Sequence, residues 1–278
     1  MTDFIPSESG TPIRYPSTAN LMISSSDRNT ALNLSPWDFQ ITKKQSILNG
    51  FFTRVGTTEV VLNWVEPNIV TGNNDTFTVV KTAGAVSYSV TVPEGFYTVA
   101  QLLDTLVVLL NAAGTGITWS ITGVGANCGL TGTAAFTIPV TALSSQLNIS
   151  NATSGTTALI SPSPDLRPTS YIDFVSSELT YNQAVKDSAT SAGQPQVLCR
   201  WYFAWDEQPL FDSYGFPILM GYMSFCARRT FNPPKQIRWS PNQPIGNLAF
   251  QVLDENGNIY PNEGLESSWQ MTLQVSEV

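Results

Sequence analysis

Histidine is absent from this chain of 278 residues. Its loss removes the commonest general base and a leading metal ligand together, and it forbids a Ser-His-Asp or Cys-His site. Charge is scarce too: Asp, Glu, Lys and Arg make up 12% of the residues, about half the usual share. The surface must then be built from Ser, Thr, Asn, Gln and Gly. That suits a protein whose outer faces are covered by neighbours; a neutral surface without special purpose is the plainer alternative. The net charge of −8 argues against a general nucleic-acid binder, since neutralising phosphates takes clustered Lys and Arg, but it leaves room for a local basic patch. Cysteine is limited to Cys128, Cys199 and Cys226. They show no C-x-x-C spacing, which excludes the usual zinc patterns. Their odd number speaks against a disulfide framework and for buried free thiols in a reducing compartment. No cofactor and no metal are expected. Long apolar runs are missing as well. The stretch from Leu102 to Leu110 contains Asp104 and is too short to cross a bilayer. Met1 to Glu8 has neither a basic start nor an apolar run, so no signal peptide is expected. The N-x-Ser/Thr triplets at Asn33, Asn74, Asn148 and Asn151 read as accidents of composition.

What the chain does have is strand periodicity. Trp269, Met271, Leu273 and Val275 alternate with Ser268, Gln270, Thr272 and Gln274, the period-2 signature of a strand with one buried face. Leu248, Phe250 and Val252 alternate in the same way. Between them, Glu255-Asn256-Gly257-Asn258 offers the Asn-Gly pair of a tight hairpin turn. Further strands are expected at Leu21 to Ser26, at Tyr171 to Val175, at Leu198 to Trp205, at Ile218 to Phe225 and at Gln236 to Trp239. Two more are expected within Ser46 to Trp64, around a turn at Gly56-Thr57-Thr58. About eight antiparallel strands with long connections predict a jelly roll.

The pattern changes near Val70 and returns near Pro168. Asp75 to Lys81 and Ser87 to Val92 read as a hairpin. A helix follows, with Thr98 and Gln101 at capping-box spacing, a stripe of Val99, Leu102, Leu103, Leu106, Leu109 and Leu110, and Gly114 as the stop. A leucine stripe of this kind is core material covering a small sheet. Residues 70–168 are therefore expected to form an α+β insertion. The all-β jelly-roll domain is expected at 20–69 plus 169–278. Residues 1–19, held extended by Pro6, Pro12 and Pro16, are read as an arm or, equally, as a tail.

Catalytic patterns are thin. Gly123-Val124-Gly125-Ala126-Asn127-Cys128-Gly129 has the wrong spacing for a dinucleotide fingerprint and opens no helix. Asp173, Glu178, Asp206, Glu207 and Asp212 could pair in space as glycosidase carboxylates, but no spacing favours it. The chain reads as non-enzymatic. Two constellations point to contacts instead. Trp201, Tyr202, Phe203 and Trp205 are too closely spaced for one strand face to bury them all; the remainder either packs under the insertion or meets a neighbouring subunit. Arg228, Arg229, Lys235 and Arg238 lie between Gly215 and Leu253 with no Asp or Glu in that stretch. They form a solvated loop, meet carboxylates of a neighbour, or touch packaged nucleic acid.

Several segments stand out together: Ser24 to Asn29, Gly95 to Asn111, Leu179-Thr180-Tyr181-Asn182-Gln183, Val197 to Phe203, Tyr214-Gly215-Phe216-Pro217-Ile218, Arg229-Thr230-Phe231-Asn232-Pro233-Pro234-Lys235, Gly246-Asn247-Leu248 and the Trp269-to-Glu277 ending. In these the chain resembles penton or minor capsid proteins of the double-jelly-roll lineage of DNA viruses, which includes virophages, polinton-like viruses and giant-virus relatives. The resemblance implies a single jelly roll with an insertion, assembling as a homopentamer at icosahedral vertices beside the major capsid protein. A non-vertex minor capsid (cement) role and a carbohydrate- or receptor-binding β-sandwich remain as alternatives. No Arg-Gly-Asp triplet is present, so an integrin-binding loop is not implied. Arg228, Arg229, Lys235, Arg238, Trp201 and Trp205 are the expected subunit-interface residues.

Overall fold

The structure, a computed structural model, describes residues 4–6, 12–14, 18–33, 35–42, 54–149, 155–160, 163–180, 197–204, 210–234, 236–238, 246–260 and 267–276. The chain divides into two compact units, one of Met1–Trp64, Tyr171–Tyr202 and Cys226–Val278, the other of Val65–Ser170 and Phe203–Phe225.

The strands of the first unit are β1 (Phe4–Pro6), β2 (Pro12–Arg14), β3 (Thr18–Ser24), β4 (Asp38–Thr42) and β5 (Arg54–Trp64), then, after the second unit's main segment, β11 (Tyr171–Val175) and β12 (Val197–Tyr202), and finally β15 (Phe225–Thr230), β16 (Gln236–Arg238), β17 (Asn247–Leu253) and β18 (Ser268–Ser276). β1 and β2 pair with each other as a separate hairpin, so part of the expected extended arm folds back on itself. The other strands form two antiparallel sheets, of order β15-β5-β18-β3 and β12-β11-β17-β4, with β16 also pairing β5. The pairings nest. The sandwich's first strand pairs its last (β3 with β18), the second pairs the one before last (β4 with β17), β5 pairs β15, and β11 pairs β12. That wrapping of a long hairpin around itself is the jelly roll.

The alternating residues read in β18 do face inward: Trp269, Met271, Leu273 and Val275 are all buried. Trp269 ties the sheets together. Its ring lies 5.5 Å from that of Phe39 on β4, 5.1 Å from Phe174 on β11 and 5.8 Å from Phe250 on β17. Its indole N–H donates to the Pro36 carbonyl at 2.8 Å, and its backbone N–H donates to the Ser25 hydroxyl at 3.0 Å. A second aromatic group, Trp37, Trp64 and Tyr260, has ring centroids 5.1–6.0 Å apart. Rings at these separations add edge-to-face attraction to the area they bury.

Three local expectations are corrected. The Gly56-Thr57-Thr58 turn does not exist; β5 runs unbroken through it. The β5–β18 register instead slips there, with Thr272 opposite Glu59 but Leu273 opposite Thr57. Thr58 is the extra residue of a bulge, and its hydroxyl donates to the Thr272 carbonyl at 3.1 Å. The bulge shifts the inward set from Val55 and Thr57 to Val60, Leu62 and Trp64, so a polar break in the pattern marks a change of parity rather than a turn. At the Asn-Gly site only Gly257 has positive φ, 80°. The turn is closed by Asp254, whose carboxylate accepts the Asn256 and Asn258 amides at 2.9 and 2.8 Å. The expected strand from Ile218 to Phe225 is absent. Gly221, at φ 93°, breaks it, and a Cβ there would meet the Phe203 ring at 3.3 Å.

The second unit carries β6 (Thr76–Lys81), β7 (Val86–Thr91), α1 (Val99–Ala112), β8 (Trp119–Thr122), β9 (Gly129–Thr137), α2 (Ala142–Gln146), β10 (Gly155–Leu159) and, from its later segment, the short strands β13 (Leu210–Phe211) and β14 (Pro217–Ile218). The sheet order is β10-β9-β6-β7, with β8 also on β9. Thr98 and Gln101 make the expected capping box at the start of α1. The helix buries Val99, Leu102, Leu103, Leu106 and Leu110 against Phe77, Val79, Val90, Trp119 and Phe136 of the sheet. The other sheet face is hydroxyl-lined. Thr78 meets Ser89 at 2.9 Å, Thr122 meets Thr131 at 2.8 Å, and Thr131 meets Thr157 at 3.2 Å. This contact-defined unit takes in Phe203–Phe225 besides the 70–168 region read from the sequence. Phe216 and Tyr222 of that later segment belong to its core.

Candidate assembly surfaces

The basic stretch begins on β15, an edge strand of its sheet. Strand parity turns Cys226, Arg228 and Thr230 outward and leaves Phe225, Ala227 and Arg229 half-buried. The Arg228 guanidinium pairs with the Glu59 carboxylate on adjacent β5, with side-chain exposures of 65% and 26%. Arg228 thus has a carboxylate within its own chain. A pair this exposed contributes about 1 kcal/mol or less, so the partner could be exchanged at little cost. Arg229 is engaged within the chain as well. Arg238 closes β16 opposite Arg54. Lys235 and Trp205, and the side chain of Arg238, lie outside the described residues.

Trp201 is not on the surface. It pairs across from Ile172 on β11 and is 2% exposed, so the expected interface role is corrected by the parity of β12. Phe203, two residues on, is also fully buried, but in the second unit, 6.0 Å from the Phe225 ring. The residue between them reaches solvent: Tyr202 is 48% exposed. It belongs to a cluster on the outer side of β11 and β12. Arg200 makes a two-pronged pair with Asp173, Nε to Oδ1 at 2.7 Å and Nη2 to Oδ2 at 2.8 Å. The same guanidinium lies 3.8 Å from the Tyr171 ring centroid and 5.9 Å from that of Tyr202. The hydrogen bonds to Asp173 hold the Arg200 pKa well above its ordinary value. A rigid Arg held between tyrosines is the composition that carries binding energy in protein interfaces. The closeness of Trp201 and Tyr202 signalled it in the sequence; nothing local signalled Arg200 and Asp173, which meet only through strand pairing.

In the second unit the later segment docks through Asp212. Its Oδ2 accepts the Ala100 amide in the first turn of α1 at 2.9 Å, and Oδ1 accepts the Tyr214 and Phe216 amides, each at 3.0 Å. The Tyr214 hydroxyl donates to Asp104 at 2.7 Å. That bond, helped by partial burial, pushes the Tyr214 phenol up to about 12. Gly125 donates its amide to the Tyr214 carbonyl at 2.7 Å. Next to this anchored hairpin, Leu210 and Phe211 are 64% and 62% exposed, adjacent apolar side chains of the sort that mark contact surfaces.

The carboxylates considered for catalysis have structural employment. Asp173 holds Arg200, Glu178 accepts the Ala249 amide at 3.1 Å, and Asp212 caps α1; Asp206 and Glu207 lie outside the described residues. Burial, then the negative charge of Asp212, pushes the Cys128 thiol up, the opposite of what a nucleophile needs. Among the described residues no group of three or more His, Cys, Asp or Glu side chains could hold a metal ion, and no helix is long and apolar enough to cross a membrane.

No family model and no curated protein matches the chain by sequence. Among solved structures it is similar to the mavirus penton protein, at 13% identity and a TM-score of 0.51, over 95% of this chain and 100% of that one. It is similar also to a chain of the Sputnik virophage structure determined by cryo-EM, at 11% identity and a TM-score of 0.50, over 94% of this chain and 97% of that one. At these identities the likeness is one of fold, and it extends across nearly the whole of each chain.

Proposed function

We propose that the chain is a structural, non-enzymatic capsid protein of a virion, and specifically the penton capsomer, five copies of which close a ring at each icosahedral vertex. The observation that carries this reading is coextensive likeness. The mavirus penton protein matches along its whole length, insertion as well as sandwich, whereas a generic jelly roll would match the sandwich alone. The low charge and the structural hydrogen bonds of Asp173, Glu178 and Asp212 fit the same role. In this reading the major capsid protein surrounds the ring, and the exposed edge at Arg228 and the Arg200–Tyr202 cluster are the surfaces available for neighbours. Packaged DNA is the competing partner for the basic stretch.

Locating the chain in an imaged particle tests the proposal. Density on the five-fold axes is expected. Density confined to positions off those axes makes it a non-vertex minor capsid protein. A stable monomer of the purified chain that binds glycans tightly overturns the capsid reading in favour of a carbohydrate-binding sandwich.

A further inference from the structure

The turn at Glu255-Asn256-Gly257-Asn258 holds a chemical liability together with the means of restraining it. Among the described residues Asn256 is the one asparagine followed by glycine. The order matters because a backbone amide nitrogen can attack the side-chain carbonyl carbon of the asparagine before it, and glycine puts no side chain in the way. Asn256 and Gly257 are both exposed to water. The Asn256 side chain makes no hydrogen bond among the described residues.

As folded, the turn keeps the reacting atoms apart. Gly257 donates its amide to the Asp254 carbonyl at 3.1 Å, and Asp254 donates its own to the Asn258 carbonyl at 2.9 Å. With Gly257 at φ 80°, this is the three-residue hairpin loop in which a type I turn is followed by a left-handed residue. Asn256 takes the second central position of that turn, where ψ is about 0°. The Gly257 nitrogen then eclipses the backbone nitrogen of Asn256, and the Asn256 Cβ stands a third of a turn away around the Cα–C bond. Attack needs Cβ and that nitrogen eclipsed instead. Asp254 locks the closed form, because its Oδ1 accepts the Asn256 and Asn258 amides at 2.9 and 2.8 Å.

We propose that Asn256 is a deamidation site and that Asp254 is its gate. When the turn opens, the Gly257 nitrogen forms a bond to Cγ of Asn256. The C–N bond of the side-chain amide breaks, and ammonia leaves with the proton that the Gly257 nitrogen gives up. Water then opens the five-membered imide at either of its carbonyls. One route gives aspartate; the other gives isoaspartate, in which the main chain runs through the former side chain. Water is the only co-reactant. Either product sets a third carboxylate beside those of Asp254 and Glu255, taking the net charge of −8 one unit further. Isoaspartate also adds a carbon to the backbone between the two amides that Asp254 holds, so the closed turn cannot be regained. The turn is tied to its surroundings. The Tyr171 hydroxyl donates to the Glu255 carbonyl at 3.4 Å, and the same tyrosine carries the Arg200 guanidinium over its ring. Conversion is one-way, so it records the age of each copy beside the Arg200–Tyr202 surface. None of this depends on the capsid reading.

Timed incubation of the whole chain tests both site and gate. The folded protein is held in mildly alkaline buffer, which favours loss of the Gly257 proton, and digested at intervals. Mass spectrometry follows the peptide spanning residue 256 for a gain of one mass unit, with isoaspartate identified by fragmentation. Because reaction proceeds only from the open turn, its rate follows the open population. Asp254→Ala removes two hydrogen bonds to a charged acceptor and should speed conversion by about tenfold or more, toward the rate of the urea-unfolded chain. Asp254→Asn keeps an acceptor and should fall between, which preserves the test if D254A does not fold. Protection of the Asn258 amide from hydrogen exchange should drop by the same factor as conversion rises, with an unchanged circular dichroism spectrum. Asn256→Gln should abolish the gain in that peptide. A parent that converts as fast folded as in urea overturns the gate, and so do D254A and D254N rates equal to the parent's. A folded D254A in which another described asparagine converts before Asn256 overturns the site.

Discussion

Asp212 offers the sharpest test of how the second unit is held together. Its carboxylate reaches an α1 amide 112 positions earlier in the chain and two amides of its own turn. A helix N-terminus has free N–H groups and partial positive charge, so a negative acceptor is favoured there twice over. Ala100 is 5% exposed, and without Asp212 its amide would have little access to water. Hydrogen bonds to a charged group are worth about 1.5–3 kcal/mol, and a buried orphaned donor costs about 1–3 kcal/mol. The Tyr214 and Phe216 amides can recover part of their loss by moving. Asp212→Ala should therefore destabilise by about 2–4 kcal/mol. Asp212→Asn keeps an acceptor but loses the charge, and should cost about half as much. Urea unfolding followed by tryptophan fluorescence would measure both, with hydrogen exchange at Ala100 as the local readout. A D212A protein within about 0.5 kcal/mol of the parent, with Ala100 still protected, would refute the argument that this carboxylate docks the later segment.

Trp269→Ala should cost about 3–5 kcal/mol in the same unfolding assay, because it empties the meeting point of β4, β11, β17 and β18; a loss under about 1 kcal/mol would show that Trp269 does not join the sheets. The Tyr222 phenol, pushed by burial from 10.0 to about 12, holds its proton more tightly folded than unfolded. Its stability contribution is thus complete below about pH 10 and is lost as pH climbs toward 12, a fall of about 2–3 kcal/mol; Tyr222→Phe should flatten that alkaline limb. Charge reversal at Arg228 and Arg229 should break the purified, DNA-free oligomer if β15 is a subunit contact; an oligomer that stays intact while particles fail to retain their genome assigns the stretch to DNA. Deleting residues 2–17, which stops short of β3, should leave the sandwich folded, with an unchanged unfolding midpoint, while reducing incorporation into particles; normal incorporation would make the segment a tail.

The sandwich was legible where one strand reported on itself. The alternation of Trp269 to Val275 and the capping box at Thr98 need only local spacing. The bulge at Thr58 was not, because a slip in register is a relation between two strands, and a polar interruption looks the same whether the chain turns or merely changes parity. Membership of the later segment in the second unit was equally hidden, since it rests on Asp212 meeting Ala100 and on Phe216 and Tyr222 entering a distant core. The assembly surfaces split along the same line. The crowding of aromatics around Trp201 was visible, but which of them surfaces was decided by the phase of β12 and by where the chain leaves it. The basic stretch was visible as composition, and its nearest carboxylate, Glu59, was not.

The position of β18 has a consequence for synthesis. Among the described strands it comes latest in the chain, yet it lies between β5 and β3 rather than at an edge. Until it leaves the ribosome, those two strands have no common partner and the apolar faces of both sheets stay without Trp269. A copy cut short before Ser268 cannot complete the sandwich, and its exposed strands make it a target for proteolysis. Strand order thereby acts as proofreading: translation must reach β18 before the sandwich of the first unit can close.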